Sequence, residues 1–203
     1  LLPQDECAIS IVGSRKFTEY GRAVTKKLSS ELASSGVTII SGMALGIDTF
    51  AHTYAISSNG RTIAVLGNGV NIPYPTQNKK LYNEIIENGA VISEFPIHTQ
   101  AFPKNFPIRN RIIAGLSAAT VVIEAPDGSG ALITADFALG YNRDLMFHKV
   151  GFNEQAVYIS GLVKKDLEIK YAAGKVSKYK MQNTMARYLD SGALVIEDYK
   201  DYC

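Results

Sequence analysis

The stretch FPKNFPIRNRIIAGLS, residues 102–117, carries cations and aromatic rings at a spacing that suits a strand of nucleic acid. These side chains are Lys104, Arg109, Arg111, Phe102 and Phe106. Aromatic rings stack on the bases of a single strand, while ammonium and guanidinium groups bind its phosphates. Lys104 and Arg109 are therefore expected to contact a ligand. The alternative is structural: the phenylalanines fill the core, and Arg111 forms an ion pair with Glu94 or Glu124.

A second set of residues could bind phosphate through the backbone. Glycine or a small polar residue follows each of the first five apolar runs of the chain. This set includes Gly13, Ser14 and Arg15 after the first run, Ser41, Gly42 and Gly46 after the second, and Gly128, Ser129 and Gly130 after the fifth. Glycine lets amide groups face an anion, and the N-terminus of the next helix adds partial positive charge. A phosphate-bearing ligand is therefore expected, with Arg15 as a further cation, although a tight turn alone would also favour glycine.

Apolar, β-branched runs alternate with segments of helical period over most of the chain. The predicted strands are 8–12, 37–40, 62–66, 90–92, 119–123 and 144–147, and the predicted helices are 19–34, 48–58, 77–88, 109–116 and 134–141. This alternation predicts an α/β fold in three αβα layers around a mostly parallel sheet. Ligands of such sheets bind beyond the carboxyl ends of the strands, which is where the glycine-containing loops would lie.

The pattern changes after Val150. A lysine-rich segment, about 151–182, is expected to be an exposed excursion with a solvated, charged surface. A helix over 182–190 and a last strand over 192–196 are expected to follow it. We expect the whole stretch 1–203 to form a single domain, because its length and 46% hydrophobic content suit one sizeable core.

The composition and the motifs that are missing argue against membrane proteins, metalloproteins and two classes of nucleotide-dependent enzyme. The net charge of +2 leaves room for a basic patch on one face. Two cysteines near the termini, without paired spacing, indicate a reducing, cytoplasmic setting. No apolar stretch approaches membrane-spanning length, and the scattered histidines predict no metal site. The G-x-G-x-x-G and G-x-x-x-x-G-K-[ST] fingerprints are absent, which argues against a nicotinamide dehydrogenase or a Walker ATPase.

Six motifs follow one another along the chain. They are GSR…YG (13–21), SGMALGID…AH (41–52), VLGNGVNIPYPTQN (65–78), ISEFP (92–96), the 102–117 stretch and SGALITADFAL (129–139). Together they resemble the motifs of the DprA/Smf family of DNA-processing proteins. The resemblance covers residues 8–141, and resumes weakly in NTMARYLDSGALVIED (183–198). The lysine-rich segment replaces a Pro-Gly turn and a Gly-Thr-Asn segment of the family, in the region from which the family's dimer contacts largely come.

The resemblance implies an extended Rossmann-like domain that binds single-stranded DNA, protects it and hands it to the RecA recombinase in natural transformation. It also implies a homodimer that needs no catalysis, cofactor or metal. The positions that would line the positive DNA pocket are Arg15, Lys104, Phe106, Arg109, Asn110 and Arg111. Gly42, Gly46 and Asp48 would shape its rim, with Asp48 capping backbone amides.

Two other functions remain open. Phosphoribohydrolases with a related fold carry a Pro-Gly-Gly-x-Gly-Thr-x-x-Glu motif whose carboxylate acts on an N-glycosidic bond. Here the run is PDGSGALIT, and Thr134 stands where that glutamate would be. A sensor of a free nucleotide would use the same rim without needing the aligned cations and aromatic ring. Binding that rises with oligonucleotide length would distinguish DNA from a mononucleotide.

Overall fold

A computed structural model of the chain describes residues 1–197 and 199–201, and Cys203 lies outside them. The strands are β1 (Ile9–Val12), β2 (Ile39–Ser41), β3 (Thr62–Leu66), β4 (Gly89–Ser93), β5 (Ala119–Val122), β6 (Asp144–His148) and β7 (Leu194–Ile196). The helices are α1 (Glu19–Ser34), α2 (Ile47–Ser57), α3 (Lys79–Asn88), α4 (Asn105–Gly115), α5 (Gly130–Gly140), α6 (Glu154–Ala172), α7 (Lys178–Gln182) and α8 (Met185–Asp190). Within the described ranges, no helix is long and apolar enough to cross a bilayer.

The strands form one parallel sheet in the order β4-β3-β2-β1-β5-β6-β7. Alternate residues of each strand point to opposite faces, so the sheet has an apolar core on each side. Ile9 and Ile11 of β1 pack in one core with residues of α1 and α2. Val12 packs in the other core with Ile113 of α4 and Leu132 of α5. The predicted α/β fold with three layers and a parallel sheet is confirmed.

Two predicted helices begin four residues earlier than expected. Helix α4 begins at Asn105 instead of position 109, and α5 begins at Gly130 instead of position 134. Pro107 lies in the first turn of α4, where the backbone N–H groups have no partner within the helix and proline is tolerated. Its presence therefore does not delay the start of the helix.

Most of the lysine-rich segment is helical and belongs to α6 and α7. Helix α6 begins after Asn153, whose side chain accepts a hydrogen bond from the Ala156 amide at 2.8 Å. Its lysines are exposed, as expected. Leu167, on its inner side, is buried and approaches Gly128, where an added Cβ would lie 2.9 Å from the Leu167 Cδ2 atom. Helix α6 is thereby packed against the loop that precedes α5.

Asp5 attaches the N-terminal 3-10 helix, Pro3–Cys7, to the sheet. Its Oδ1 atom accepts hydrogen bonds from Arg61 Nε at 2.8 Å and Thr38 Oγ1 at 2.9 Å, and Oδ2 accepts from the Leu2 amide at 2.7 Å. Burial by itself would raise the pKa of Asp5, but the hydrogen bonds from Arg61, Leu2 and Thr38 outweigh it and lower the pKa. The carboxylate therefore stabilises the folded chain in its ionised form.

We expect the Asp5→Asn substitution to lower the free energy of unfolding by about 1–3 kcal/mol at neutral pH. Because the folded-state pKa lies below the unfolded value, this contribution is present above about pH 4 and is lost as the pH falls through the folded pKa. Urea titrations at several pH values measure it. Glu6→Gln, at the exposed neighbouring position, is the control. A difference between Asp5→Asn and wild type that stays constant down to about pH 2 would contradict the assignment.

Candidate functional site

Two adjoining clefts lie at the carboxyl edge of the sheet and share Arg15, Ala44, Phe106 and Arg109. The first, which we call the main cleft, has a volume of about 460 Å³. The second, which we call the aromatic recess, has a volume of about 300 Å³. The main cleft is lined by residues that include Gly13, Ser14, Arg15, Lys16, Asp48, Phe106, Arg109, Asn110, Ser129, Gly130, Thr134, Leu162, Val163 and Asp166. The recess is lined by Arg15, Gly42, Ala44, Leu45, Tyr74, Pro75, Thr76, Gln77, Phe106 and Arg109.

The N-terminus of α5 faces the main cleft. Ser129 is the N-cap residue, yet its hydroxyl caps no backbone amide. The Ser129 Oγ atom is buried and has no hydrogen-bond partner among the described residues. The first N–H groups of a helix lack intrahelical partners and carry partial positive charge. This end of the main cleft therefore offers hydrogen-bond donors to an anion.

Arg15 is exposed and makes no hydrogen bond or ion pair with the described part of the chain. The loop around it is nevertheless fixed. Ser14 donates its amide to the Glu124 carbonyl at 2.7 Å, and its Oγ atom accepts from the Lys16 amide at 2.8 Å. A rigid loop thus presents a charged side chain whose donors are unused, at the boundary between the two clefts.

Arg109 differs from the exposed cation that the sequence suggests, because it is only 4% exposed. Its Nη1 atom donates to the Gly42 carbonyl at 2.7 Å and also to the Val65 carbonyl, and its Nε atom donates to Asn110 Oδ1 at 3.2 Å. These bonds join α4 to the ends of β2 and β3. Arg109 therefore holds the edge of the sheet together from beneath the two clefts, which we together call the groove.

Asp48 faces Arg109 across the backbone of Gly42. A Cβ atom at Gly42 would lie 2.7 Å from Arg109 Nη2 and 2.8 Å from Asp48 Oδ2, so only glycine fits between them. Asp48 also accepts a hydrogen bond from the Ala44 amide at 3.3 Å. Burial lowers the pKa of Arg109 to about 10, while Asp48 acts to raise it. Burial raises the pKa of Asp48, and Arg109 and nearby amides oppose this.

His52 lies beneath the same network and is completely buried. Its Nδ1 atom is 2.7 Å from Thr62 Oγ1. Burial, followed by the positive charge of Arg109, lowers the pKa of His52 to about 3. The imidazole is therefore neutral at physiological pH and adds no charge to the groove.

Five of the predicted site residues do not line either cleft. Ser41 is fully buried, and its hydroxyl donates to the Ile11 carbonyl at 2.7 Å, so it cannot serve as a rim contact. Arg111 forms an ion pair with Glu94, in agreement with the structural alternative. The others are Gly46, where an added Cβ would meet the Ser14 carbonyl oxygen, Gly128, where it would meet Leu167, and Lys104, which is exposed just before α4. The remaining predicted residues line the groove.

Two acidic side chains outside the main cleft are engaged in structural contacts. Glu124 accepts hydrogen bonds from the Thr18 amide at 2.8 Å and the Thr18 hydroxyl at 2.5 Å, which fixes the start of α1. Asp136 accepts from Arg187 Nη2 and Tyr179 Oη, both at 3.1 Å. Within residues 1–197 and 199–201, no three His, Cys, Asp or Glu side chains are grouped as a metal site.

Sequence reasoning missed several lining residues. Tyr74 and Gln77 come from the segment after β3. Because that segment begins at the carboxyl edge of the sheet, its place in the sequence could have indicated that these residues lie near the clefts. Leu162, Val163 and Asp166 come from α6, which packs beside the main cleft. No motif marked the three residues of α6, because the lysine-rich segment departs from the family pattern.

A family model described as DNA recombination-mediator protein A matches residues 2–197. Protein Smf of Synechocystis sp. is 51% identical over 137 residues, which are 68% of this chain and 34% of that protein. The X-ray structure of DNA processing protein A from Streptococcus pneumoniae has a TM-score of 0.74 at 30% identity, covering 98% of this chain and 61% of that one. DNA processing protein A from Helicobacter pylori, described for its single-stranded DNA binding mode, has a TM-score of 0.67 at 32% identity, covering 70% and 65%. The chain thus spans about a third of the Smf protein and under two thirds of either solved chain.

Proposed function

The chain belongs to the DNA recombination-mediator protein A family, and we propose that it binds single-stranded DNA in the groove at the carboxyl edge of its sheet. The observation that carries this proposal is Arg15, an exposed cation without a partner in the described chain, placed where the main cleft meets the aromatic recess. Its guanidinium is available to a phosphate, and the N-terminus of α5 offers a second phosphate position.

The composition of the groove favours a polyanion over a small neutral ligand. Arg15 and Lys16 are exposed in its lining, and Lys104 is exposed beside it. Phe106 lines both clefts and supplies a ring for base stacking. Arg109 contributes positive charge from below while it fixes the backbone, so we assign it to positioning the groove.

We further propose that binding involves no bond making. Thr134 replaces the glutamate of the phosphoribohydrolase motif and is buried. Asp48, which lines the main cleft, is engaged by Arg109 and backbone amides. On the basis of family membership, we also propose that the protein protects the strand and transfers it to RecA in transformation and recombination. We propose further that it forms a homodimer and is located in the cytoplasm.

We expect the double variant Arg15→Ala/Lys104→Ala to bind oligo-dT about tenfold or more weakly than wild type at low salt. Single-stranded DNA releases about 0.7 counterions per neutralised phosphate, so the slope of log K against log salt should flatten by about 1.4. Fluorescence anisotropy with labelled oligo-dT of several lengths measures both quantities.

The matched control is Lys26→Ala/Arg143→Ala, which removes the same charge from α1 and from the residue before β6, away from the loops at the carboxyl edge of the sheet. It should leave the affinity within about twofold of wild type. Equal binding by the groove variant and wild type would remove the proposed site. Affinity that reaches a plateau with a single nucleotide, without rising with length, would instead identify the groove as a nucleotide sensor.

A further inference from the structure

We propose that a bound strand continues beyond the main cleft onto a basic surface at α7, which we call the lysine surface and define by Lys175, Lys178, Tyr179 and Lys180. This inference rests on the proposed function and deepens it, because it assigns a second contact region to the same single-stranded DNA. Residues 164–180 hold six lysines and two acidic residues, a net charge of +4, whereas the whole chain has +2. Positive charge is therefore concentrated here, and the rest of the chain is net negative.

The lysine surface adjoins the end of the main cleft at which α5 begins. The Gly128 amide donates a hydrogen bond to the carbonyl of Asn183, the residue that follows α7, at 2.7 Å. A Cβ atom at Gly128 would lie 2.9 Å from the Lys180 carbonyl oxygen and 3.2 Å from its Cγ atom. Gly128 is followed by Ser129 and Gly130, which line the main cleft. The Lys180 side chain therefore leaves the backbone next to the loop that forms one end of that cleft.

The backbone that carries these lysines is held in place. The Tyr179 hydroxyl is 3.1 Å from Asp136 Oδ2, which attaches α7 to α5. Ser177 begins α7, and its Oγ atom accepts a hydrogen bond from the Lys180 amide at 3.3 Å. A surface that is ordered before the ligand arrives binds it without the cost of ordering a loop.

The cations of the lysine surface have no partner of their own. Lys175, Lys178 and Lys180 are exposed, and their side chains make no ion pair or hydrogen bond with the described part of the chain. Lys170 differs, because its Nζ atom lies 2.6 Å from Asp166 Oδ2. Asp166 lines the main cleft, so this ion pair offsets the one acidic charge that α6 brings to the cleft. A phosphate can therefore pass from the cleft to ammonium groups that are not yet paired.

An exposed ring accompanies these cations and favours a nucleic-acid strand as the ligand. Tyr179 lies between Lys178 and Lys180 in the chain and is 44% exposed, although its hydroxyl is engaged by α5. The same interleaving occurs in the 102–117 stretch, where Phe106 lies between Lys104 and Arg109. Lysines alone would also suit an acidic peptide. The ring, which can stack on a base, and the continuity with the groove favour single-stranded DNA.

The test compares oligo-dT of about 6 and about 16 nucleotides, lengths within the range of single-strand binding sites. Wild type should bind the longer strand more tightly, and its slope of log K against log salt should be steeper by about 1.4, since two further phosphates each release about 0.7 counterions. The slope is decisive because a long strand also offers more positions for binding. Those positions raise the affinity without adding contacts, so they leave the slope unchanged.

Lys178→Ala/Lys180→Ala should bind the longer strand about fivefold or more weakly than wild type at low salt, and its slope for that strand should flatten by about 1.4. Its affinity for the shorter strand should stay within about twofold of wild type, because that strand is held by the groove. Lys178→Arg/Lys180→Arg keeps both charges and should retain the tight binding of the longer strand. Lys26→Ala/Arg143→Ala removes two cations elsewhere and should change neither affinity.

Three results would contradict these expectations in different ways. Equal wild-type salt slopes for the two lengths would overturn the lysine surface while leaving the groove in place. Equal weakening of both strands by Lys178→Ala/Lys180→Ala would also overturn it, since these lysines would then act on the main cleft itself. Failure of wild type to bind either strand would overturn the proposed function.

Discussion

The Arg109→Met substitution is expected to lower the free energy of unfolding by about 3–5 kcal/mol, because it leaves two carbonyl oxygens without their donor and removes the positive charge that faces a buried carboxylate. Methionine fills much of the same volume, so the effect comes from the lost charge and hydrogen bonds. The bonds lost are those to the carbonyls of Gly42 and Val65, and the buried carboxylate is that of Asp48. Urea-induced unfolding monitored by circular dichroism measures the change.

The neighbouring Arg111→Met provides a matched control. Arg111 and its partner Glu94 have side chains that are 43% and 28% exposed, so their ion pair is accessible to solvent. Its loss should cost less than about 1 kcal/mol. In the double variant Arg109→Met/Asp48→Asn, the cost should be smaller than the sum of the single effects, since the buried carboxylate is neutralised as well. If Arg109→Met were as stable as Arg111→Met, Arg109 could not be the residue that holds the groove together.

Gly46→Ala is expected to destabilise the chain by about 2–4 kcal/mol and to weaken binding of oligo-dT. Gly46 has φ +88° and ψ −129°, a conformation that side chains disfavour. An added Cβ would also lie 2.5 Å from the Ser14 carbonyl oxygen and 3.0 Å from Arg15 Cα. Relief of this clash must move the loop that presents Arg15, so we expect both stability and DNA affinity to fall. Unfolding titrations and anisotropy on the same preparation measure the two effects.

Gly36→Ala separates strain from steric clash. Gly36 has a similar φ of +85°, but nothing lies within 4 Å of the Cβ that alanine would add. The Gly36→Ala substitution should lower the free energy of unfolding by about 1–2 kcal/mol, because alanine is strained at a positive φ. It should not change the affinity for DNA. If the Gly46→Ala and Gly36→Ala variants showed the same stability and the same affinity for DNA, contact between Gly46 and the Arg15 loop would have no role in forming the groove.

The fold class and the position of the groove could both be predicted from the chain itself. Six of the seven strands in the described residues were anticipated as short β-branched runs, and β7 as a final apolar segment, because burial on both faces of a parallel sheet requires such runs. Glycines and Ser14 at the ends of these runs indicated the carboxyl edge. Arg15 lines both clefts, as expected for a residue of the glycine-containing turn that begins directly after β1.

The sequence could not distinguish the roles of similar residues within one helix. Arg109 and Arg111 are two positions apart, so they point to different sides of α4, and only the docking of that helix on the sheet determines which one is buried. Arg109 is directed toward β2 and β3, whereas Arg111 pairs with Glu94 near solvent. A local pattern of alternating cations and rings does not show how α4 is rotated about its own axis against the sheet.

The amino-acid sequence by itself determined the alternation of strands and helices, the family resemblance and the edge of the sheet at which the two clefts lie, because each depends on local periodicity or on short motifs. Tertiary structure alone decided that Tyr74 meets Phe106 in a recess and that α6 borders the main cleft. These contacts join segments far apart in the chain. Their geometry follows from how the layers pack, which no single segment encodes.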